Sequence, residues 1–149
     1  MPGILKKIAT LGFIGYAPFA PGTFASLAAF LVYVILKPSA GLNLFILLLV
    51  VPLGIVSSHY AEIMLNEKDS KHIVIDEVCG YFVSVLFIPF NVGYALAAFF
   101  LFRIFDILKP FPIRYVEKNF KGGKGVVVDD IIAGIYANLV LQIWQVVRS

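Results

Sequence analysis

The sequence predicts an all-α fold: a small polytopic membrane helical bundle with four to five helical segments and short cytoplasmic loops. Of its 149 residues, 60% are hydrophobic and only 14% are charged. A soluble chain carries roughly 25% charged residues, because polar side chains must coat its surface. The apolar residues also gather into long segments. Composition therefore excludes disorder and favours lipid as the solvent of one domain that covers residues 1–149.

Four apolar segments organise the chain, at residues 24–36, 42–58, 80–105 and 131–147. A helix needs about 20 residues to cross the hydrocarbon core, with a range of roughly 17 to 25. The second and fourth segments meet this length. The first segment is too short before Lys37 and Pro38, so it must be extended by its flanks or lie beside the bilayer.

The third apolar segment is interrupted by Pro89-Phe90-Asn91. This break predicts two short helices joined by a tight turn, with a single kinked span as the alternative. The two-helix interpretation puts the N-terminus and residues 59–76 and 106–130 on one side. That side then collects nine of the basic residues, whereas the other holds Lys37 and Arg148. Because cytoplasmic loops accumulate Lys and Arg, the pattern predicts a cytoplasmic N-terminus.

The charge balance indicates which partners to expect. The formal net charge is +3, which suits anionic lipid headgroups. There is no arginine-rich arm and no zinc-type spacing, so we expect no nucleic-acid binding. The single cysteine, Cys79, excludes an internal disulfide.

Five acidic residues lie at the predicted cytoplasmic boundary. Asp76 and Glu77 precede the third segment, Asp106 follows it, and Asp129 and Asp130 precede the last segment. Carboxylates at the edge of lipid are costly unless cations or water surround them, so they are candidate functional groups. Their hard oxygen atoms are the ligands that Mg²⁺ prefers. The alternative is that acids at helix starts act as caps or interact with the helix dipole.

Basic residues accompany these acids. Arg103, Asp106 and Lys109 are spaced by three and can share one helical face, while Pro110 should end the helix at Lys109. A planar Arg and a terminal Lys beside a carboxylate can clamp a phosphate. The alternative is an interfacial salt bridge with a Lys whose ammonium group reaches water.

Two further segments are candidate anion-binding sites. Gly122 and Gly123 belong to a glycine-rich stretch, predicted to be a loop, that leads to the last helix and lacks the spacing of a phosphate-binding P-loop. Their backbone amides can approach an anion closely. Thr23 and Ser26 follow Pro21-Gly22, where they can cap the first long helix or face a phosphate.

Together these motifs resemble the phosphatidylglycerophosphatase A family. The matching pieces, in the family's order, are Ala20-Pro21-Gly22-Thr23 with Ser26, Asp76-Glu77 with Gly80, Phe102-Arg103 with Asp106, Lys109-Pro110 and Pro112-Ile113-Arg114, and Gly122-Gly123 with Gly125 and Asp129-Asp130-Ile131-Ile132-Ala133-Gly134. The sequence departs from the family pattern at Ala25, Cys79 and Lys124, and none of these departures removes a carboxylate. The resemblance covers residues 12 to 140.

The resemblance implies a multi-pass enzyme of the bacterial cytoplasmic membrane. It would use Mg²⁺ to remove the terminal phosphate of phosphatidylglycerophosphate in the bilayer, which leaves phosphatidylglycerol. The expected site has catalytic Glu77, Asp106, Asp129 and Asp130, metal ligands among Asp76, Glu77, Asp106, Asp129 and Asp130, and substrate contacts from Thr23, Ser26, Arg103, Lys109, Gly122 and Gly123. Two other functions stay open: a transporter that uses these carboxylates as an ion pathway, and a structural subunit that docks a partner through them.

Overall fold

The computed structural model describes all residues 1–149 and consists of seven α-helices without a β-strand. The predicted all-α class is therefore confirmed. The helices are α1 (Pro2–Ala9), α2 (Pro21–Leu36), α3 (Ala40–Leu65), α4 (Ile75–Ser84), α5 (Val92–Leu108), α6 (Ile113–Asn119) and α7 (Gly123–Arg148). The four to five predicted segments correspond to α2, α3, α4, α5 and α7. The short helices α1 and α6 were not predicted, because they lie outside the four apolar segments.

The third apolar segment forms two helices, as predicted. Helix α4 ends at Ser84 and α5 begins at Val92. The side chain of Asn91 caps α5, since its Oδ1 accepts hydrogen bonds from the backbone amides of Gly93 (2.7 Å) and Tyr94 (3.2 Å). Helix α5 ends at Leu108, followed by Lys109 in the left-handed region (φ 48°). The proline at position 110 thus ends the helix where the sequence predicted.

The last helix starts eight residues earlier than its apolar segment predicts. Gly123 and Gly125 lie in the first turn of α7 rather than in a loop, so the predicted glycine loop is wrong in this respect. Glycine is a poor helix former, but here the missing side chain permits close packing. A Cβ on Gly123 would overlap the carbonyl oxygen of Ile55 in α3.

Helices α3 and α7 are the two that are long and apolar enough to cross a membrane. Each has 26 residues, or about 39 Å at 1.5 Å per residue. Only 22% of the most apolar stretch of α3 is buried inside the protein. Phe45, Leu48 and Leu49 expose 58%, 65% and 57% of their surface. This exposure differs from that of the core helix of a soluble protein and fits contact with lipid.

Helix α4 lies at the centre of the bundle, packed by α2, α3, α5 and α7. Its Tyr81 is fully buried, and the phenolic hydroxyl donates to the carbonyl of Ala95 at 2.9 Å. Asn138 of α7 donates through Nδ2 to the carbonyls of Ser84 (3.1 Å) and Leu86 (2.7 Å). These bonds satisfy the carbonyl of Ser84, the last residue of α4, and that of Leu86, just after the helix.

The charge-rich segments meet at one end of the bundle. The amide of Val74 donates to the carbonyl of Ala9 at 2.8 Å, which joins the α3–α4 connection to the N-terminal segment. Lys109 contacts Glu117 (3.6 Å) and Asp129 (3.0 Å), which joins the ends of α5 and α6 to α7. The segments that the charge pattern assigned to one side therefore share one side in the fold.

Candidate active site

The site forms where α4 crosses α7, and two glycines set the distance between these helices. A Cβ on Gly134 would overlap the carbonyl oxygen of Gly80, and a Cβ on Gly80 would lie 2.7 Å from the carbonyl oxygen of Asp130. Only residues without a side chain fit such a crossing. The close approach brings Asp76 and Glu77, one turn before Gly80, to Asp130, one turn before Gly134.

The five predicted acidic residues converge at this crossing. Carboxylate oxygens of Asp76, Asp129 and Asp130 lie within 4.8 Å of one another, and so do those of Glu77, Asp106 and Asp130. Asp130 belongs to both groups. All five residues are buried, with exposed fractions from 2% to 8%. The sequence placed them at one boundary, and the fold gathers them into one cluster.

The cluster contains carboxylate oxygens without a hydrogen-bond partner. Asp76 Oδ1 and Asp130 Oδ2 are buried and accept no bond from any donor in the protein. A buried, unpartnered acceptor is costly, and a hard divalent cation would satisfy both atoms. The donor set therefore fits a metal ion such as Mg²⁺.

Burial and the close packing of carboxyl groups raise the pKa values of the two acidic residues at the start of α4. Burial raises the pKa of Glu77 to about 8, with a further contribution from the Asp106 carboxylate, although Arg103 acts in the opposite direction. Burial and the Glu77 carboxylate raise the pKa of Asp76 well above its usual range. These carboxyl groups thus favour the protonated form unless another cation enters the cluster.

Arg103 neutralises one half of the cluster. Its Nη1 donates to Glu77 Oε2 at 2.8 Å and to Asp106 Oδ2 at 2.7 Å. Its Nε is buried and has no acceptor. The predicted neighbours Arg103 and Asp106 form the expected pair, and Glu77 joins them from α4. Glu77 and Asp106 thus already contact a cation, whereas Asp76 Oδ1 and Asp130 Oδ2 have no partner.

Lys109 bridges the cluster to helix α6. Its Nζ lies 3.0 Å from Asp129 Oδ2 and 3.6 Å from both Asp106 Oδ1 and Glu117 Oε1. Burial alone would lower the Lys109 pKa, but the carboxylates of Asp129 and Asp106 raise it above its ordinary value. Lys109 is therefore a permanent cation at the edge of the cluster.

The start of α2 contacts Glu77. Ser26 Oγ lies within hydrogen-bond distance of two acceptors, the carbonyl oxygen of Gly22 (2.8 Å) and Glu77 Oε2 (3.1 Å), so it contacts the glutamate instead of capping its helix. A Cβ on Gly22 would lie 2.5 Å from Glu77 Oε1. Thr23 is half-buried in the same turn and makes no side-chain cap either. Capping, the structural explanation offered for these residues, is therefore wrong.

Capping also fails to explain Asp129 and Asp130, because α7 begins at Gly123 and its N-cap is Gly122. The two acids lie in the second turn, and Asp129 Oδ1 accepts from the backbone amide of Asp130 at 2.9 Å. Gly122 borders a polar cavity that also reaches Asp129. Gly123 is buried against α3. Their substrate contacts stay predictions.

Sequence reasoning missed Glu117 and the polar cavity beside it. Glu117 lies on α6, a seven-residue helix without an apolar pattern that would have predicted it. The cavity has a volume of about 160 Å³ and reaches the cluster at Asp129. Residues far apart in the chain line it, and no local spacing in the sequence relates them.

Fold and site together define an all-helical protein with two membrane-length helices and a buried, carboxylate-rich centre whose oxygen atoms could hold a metal ion. The phosphatidylglycerophosphatase A family model matches residues 7–145. The chain therefore belongs to the phosphatidylglycerophosphatase A family. It is an enzyme of phospholipid metabolism, a phosphoric monoester hydrolase.

Three curated proteins are similar over most of their length. A putative phosphatidylinositol-3-phosphatase from Bacteroides thetaiotaomicron is 38% identical, over 95% of this chain and 94% of that protein. Phosphatidylglycerophosphatase A from Haemophilus influenzae is 40% identical, over 85% and 81%. Phosphatidylglycerophosphatase A from Escherichia coli is 35% identical, over 81% and 72%. No solved structure matches the chain.

Proposed function

We propose that the protein hydrolyses phosphatidylglycerophosphate to phosphatidylglycerol and inorganic phosphate, with Mg²⁺ as its cofactor. The observation that carries the proposal is the buried cluster of five carboxylates with two unpartnered oxygens, bordered by Arg103 and Lys109. Family membership supports the phosphatidylglycerophosphate substrate. The reaction is one step of phospholipid synthesis.

Asp76, Asp129 and Asp130 are the residues that would hold the metal ion. Both unpartnered oxygens belong to this group, whereas Arg103 already contacts Glu77 and Asp106 in the other group. Mg²⁺ commonly uses one or two carboxylates and keeps positions for water and phosphate oxygens. When bound, it would neutralise charge on the phosphate and act as a Lewis acid.

The remaining residues have separate roles in this proposal. Arg103 and Lys109 bind the phosphate oxygens and stabilise charge that develops during hydrolysis, which is the main requirement for such a slow uncatalysed reaction. Glu77 or Asp106 accepts a proton from the attacking water, and Arg103 holds both carboxylates in place. Ser26 fixes the position of Glu77.

We also propose that the chain crosses the cytoplasmic membrane of a bacterium several times, with the site facing the cytoplasm. The basic segments and the carboxylate cluster lie at the same end of the bundle, in agreement with the excess of Lys and Arg in cytoplasmic loops. The terminal phosphate of a lipid in the inner leaflet would then lie at the level of the cluster.

Phosphate release by the detergent-purified protein tests the proposal. The substrates are phosphatidylglycerophosphate, phosphatidylinositol 3-phosphate and soluble glycerol 3-phosphate, each with Mg²⁺ and with EDTA. We expect EDTA-sensitive release that is fastest with phosphatidylglycerophosphate. Faster release from the inositol lipid would instead assign the activity named for the Bacteroides relative. No release from any substrate by folded protein would refute the proposal and favour transport or partner binding.

A further inference from the structure

The three carboxylates proposed to hold the metal ion are not equally free. Asp76 Oδ1 and Asp130 Oδ2 have no hydrogen-bond partner. By contrast, both oxygens of Asp129 are engaged: Oδ1 accepts from the backbone amide of Asp130 at 2.9 Å, and Oδ2 accepts from Lys109 Nζ at 3.0 Å. A divalent cation at Asp129 would therefore compete with the Lys109 ammonium group for the same carboxylate.

Lys109 has one alternative partner outside the cluster. Its ammonium group has three N–H donors, and it contacts three carboxylates: Asp129 at 3.0 Å, and Asp106 and Glu117 each at 3.6 Å. Asp106 is shared with Arg103, whose Nη1 donates to Asp106 Oδ2 at 2.7 Å. Glu117 forms no other ion pair in the protein. Glu117 is therefore the carboxylate that can hold Lys109 when Asp129 is used for another cation.

Helix α6 fixes the position of Glu117. Ile113, the first residue of α6, is fully buried. The hydroxyl of Tyr136 in α7 donates to the carbonyl oxygen of Phe111, just before α6, at 2.6 Å. The Glu117 side chain is 35% exposed, compared with 9% for Asp129. A negative charge in contact with water costs little desolvation, so Glu117 can balance the charge of Lys109 outside the buried cluster.

We propose that Glu117 is a positioning residue, which holds Lys109 at the edge of the cluster when Asp129 binds the divalent cation. The inference rests on the proposed function, which assigns Asp129 to the metal ion and Lys109 to the phosphate. With Glu117 as its acceptor, Lys109 releases Asp129 but stays beside the site, and one of its N–H donors becomes free for a phosphate oxygen. Glu117 thus favours metal binding at Asp129 without touching the metal ion or the phosphate.

The substitution Glu117→Gln tests this role through metal binding rather than turnover. The melting temperature of the detergent-purified protein at increasing Mg²⁺ concentration yields the dissociation constant, and its value in EDTA reports on the metal-free fold. Without the Glu117 charge, Lys109 stays with Asp129, so the variant should bind Mg²⁺ more weakly. A partly exposed ion pair contributes about 0.2–1 kcal/mol. We therefore expect the dissociation constant to rise about 1.5- to 5-fold, with an unchanged melting temperature in EDTA.

The matched control is Glu62→Gln. Glu62 lines the same cavity as Glu117 and Asp129 but does not contact Lys109. Glutamine also keeps an acceptor oxygen for the backbone amide of Asp69. This variant measures how far the loss of one nearby negative charge weakens metal binding. An equal rise in the dissociation constant in both variants would overturn the proposal, because general electrostatic attraction would explain it.

A double-mutant cycle with Lys109→Met isolates the contact between Glu117 and Lys109. Loss of the ammonium group removes the competitor for Asp129, so Lys109→Met should bind Mg²⁺ more tightly than the wild type. In this background, Glu117→Gln should weaken binding no more than Glu62→Gln does, because no lysine is left to hold. The same additional weakening with and without the lysine would overturn the proposal, since Glu117 would then act on the metal ion directly.

The outcomes separate the inference from the proposed function. If Mg²⁺ stabilises the wild type and Glu117→Gln behaves like Glu62→Gln, the inference alone is overturned. This comparison needs only the single variants, so it holds even where Lys109→Met does not fold. If Mg²⁺ leaves the melting temperature of the wild type unchanged and EDTA leaves phosphate release unchanged, the proposed cofactor is wrong and the inference fails with it.

Discussion

Substitution of Asp130 by Asn is the sharpest test of the carboxylate cluster, because Asp130 belongs to both groups of acidic residues. Asparagine keeps the shape of the side chain and removes its charge. The residue is 2% exposed and its Oδ2 has no partner. The substitution therefore removes a proposed metal ligand without opening a cavity.

Stability and metal binding should change in opposite directions. Two ionised carboxylates no more than 4.8 Å apart, as in each group, repel by at least about 3.5 kcal/mol at an effective dielectric constant of about 20. Relief of part of this repulsion should raise the melting temperature of the Asp130→Asn variant in EDTA above about pH 8, where the Glu77 carboxyl group is ionised. The increase in melting temperature on addition of Mg²⁺ should be lost, because ligand binding stabilises only a protein that binds the ligand.

Activity should fall by at least about 100-fold. Loss of a residue that only supports a metal ligand reduces activity by about 10- to 100-fold, and Asp130 is a proposed ligand itself. The assays are phosphate release from phosphatidylglycerophosphate and thermal unfolding in detergent, each with Mg²⁺ and with EDTA. Glu67→Gln is the control, because it removes one negative charge at an exposed position. Wild-type turnover in the Asp130 variant, or an intact response to Mg²⁺, would refute the role of the cluster.

Three more predictions follow from contacts around the cluster. Ser26→Ala removes the hydroxyl group that contacts Glu77. We expect kcat to fall by about 10- to 100-fold and the melting temperature to stay unchanged. Activity equal to that of the wild type would contradict the positioning role of Ser26. Gly134→Ala places a Cβ against the Gly80 carbonyl and should destabilise by about 1–3 kcal/mol in thermal unfolding, whereas Gly41→Ala, with open space around its Cβ, should be neutral. In EDTA, the folded protein holds the Glu77 proton up to about pH 8, whereas the unfolded chain loses it near pH 4.5. The free energy of unfolding should therefore fall as pH rises from 4.5 towards about 8. A constant melting temperature over this range would argue against a buried, uncompensated carboxyl group.

Much of the architecture was predictable because local chemistry determines it. The Pro89-Phe90-Asn91 break predicts two helices, and the Asn91 cap at the start of α5 explains why the second helix begins there. Pro110 ends α5 for a local reason too. Gly134 lies four positions after Asp130 on the same face of α7, and the absence of a side chain there leaves room for α4.

The errors concern features that only tertiary packing determines. The glycines at 123 and 125 favour a loop by propensity, yet they belong to α7 because contacts with α3 and the segment before α7 require the absence of side chains. Ser26 has the residue type of a cap, but its hydroxyl group contacts the Glu77 carboxylate, which is 51 positions away. Glu117 and the cavity depend on the position of α6, which no periodic pattern indicates.

The charge balance of the cluster implies an order of binding. Five carboxylates face two cations, Arg103 and Lys109, so the fully ionised cluster has three negative charges in excess and repels a phosphate dianion. A divalent cation removes most of this excess, so phosphate should bind appreciably only after the metal. Inorganic phosphate should therefore raise the melting temperature in the presence of Mg²⁺ and leave it unchanged in EDTA. Equal stabilisation in both conditions would contradict this order, because phosphate would then bind without the metal.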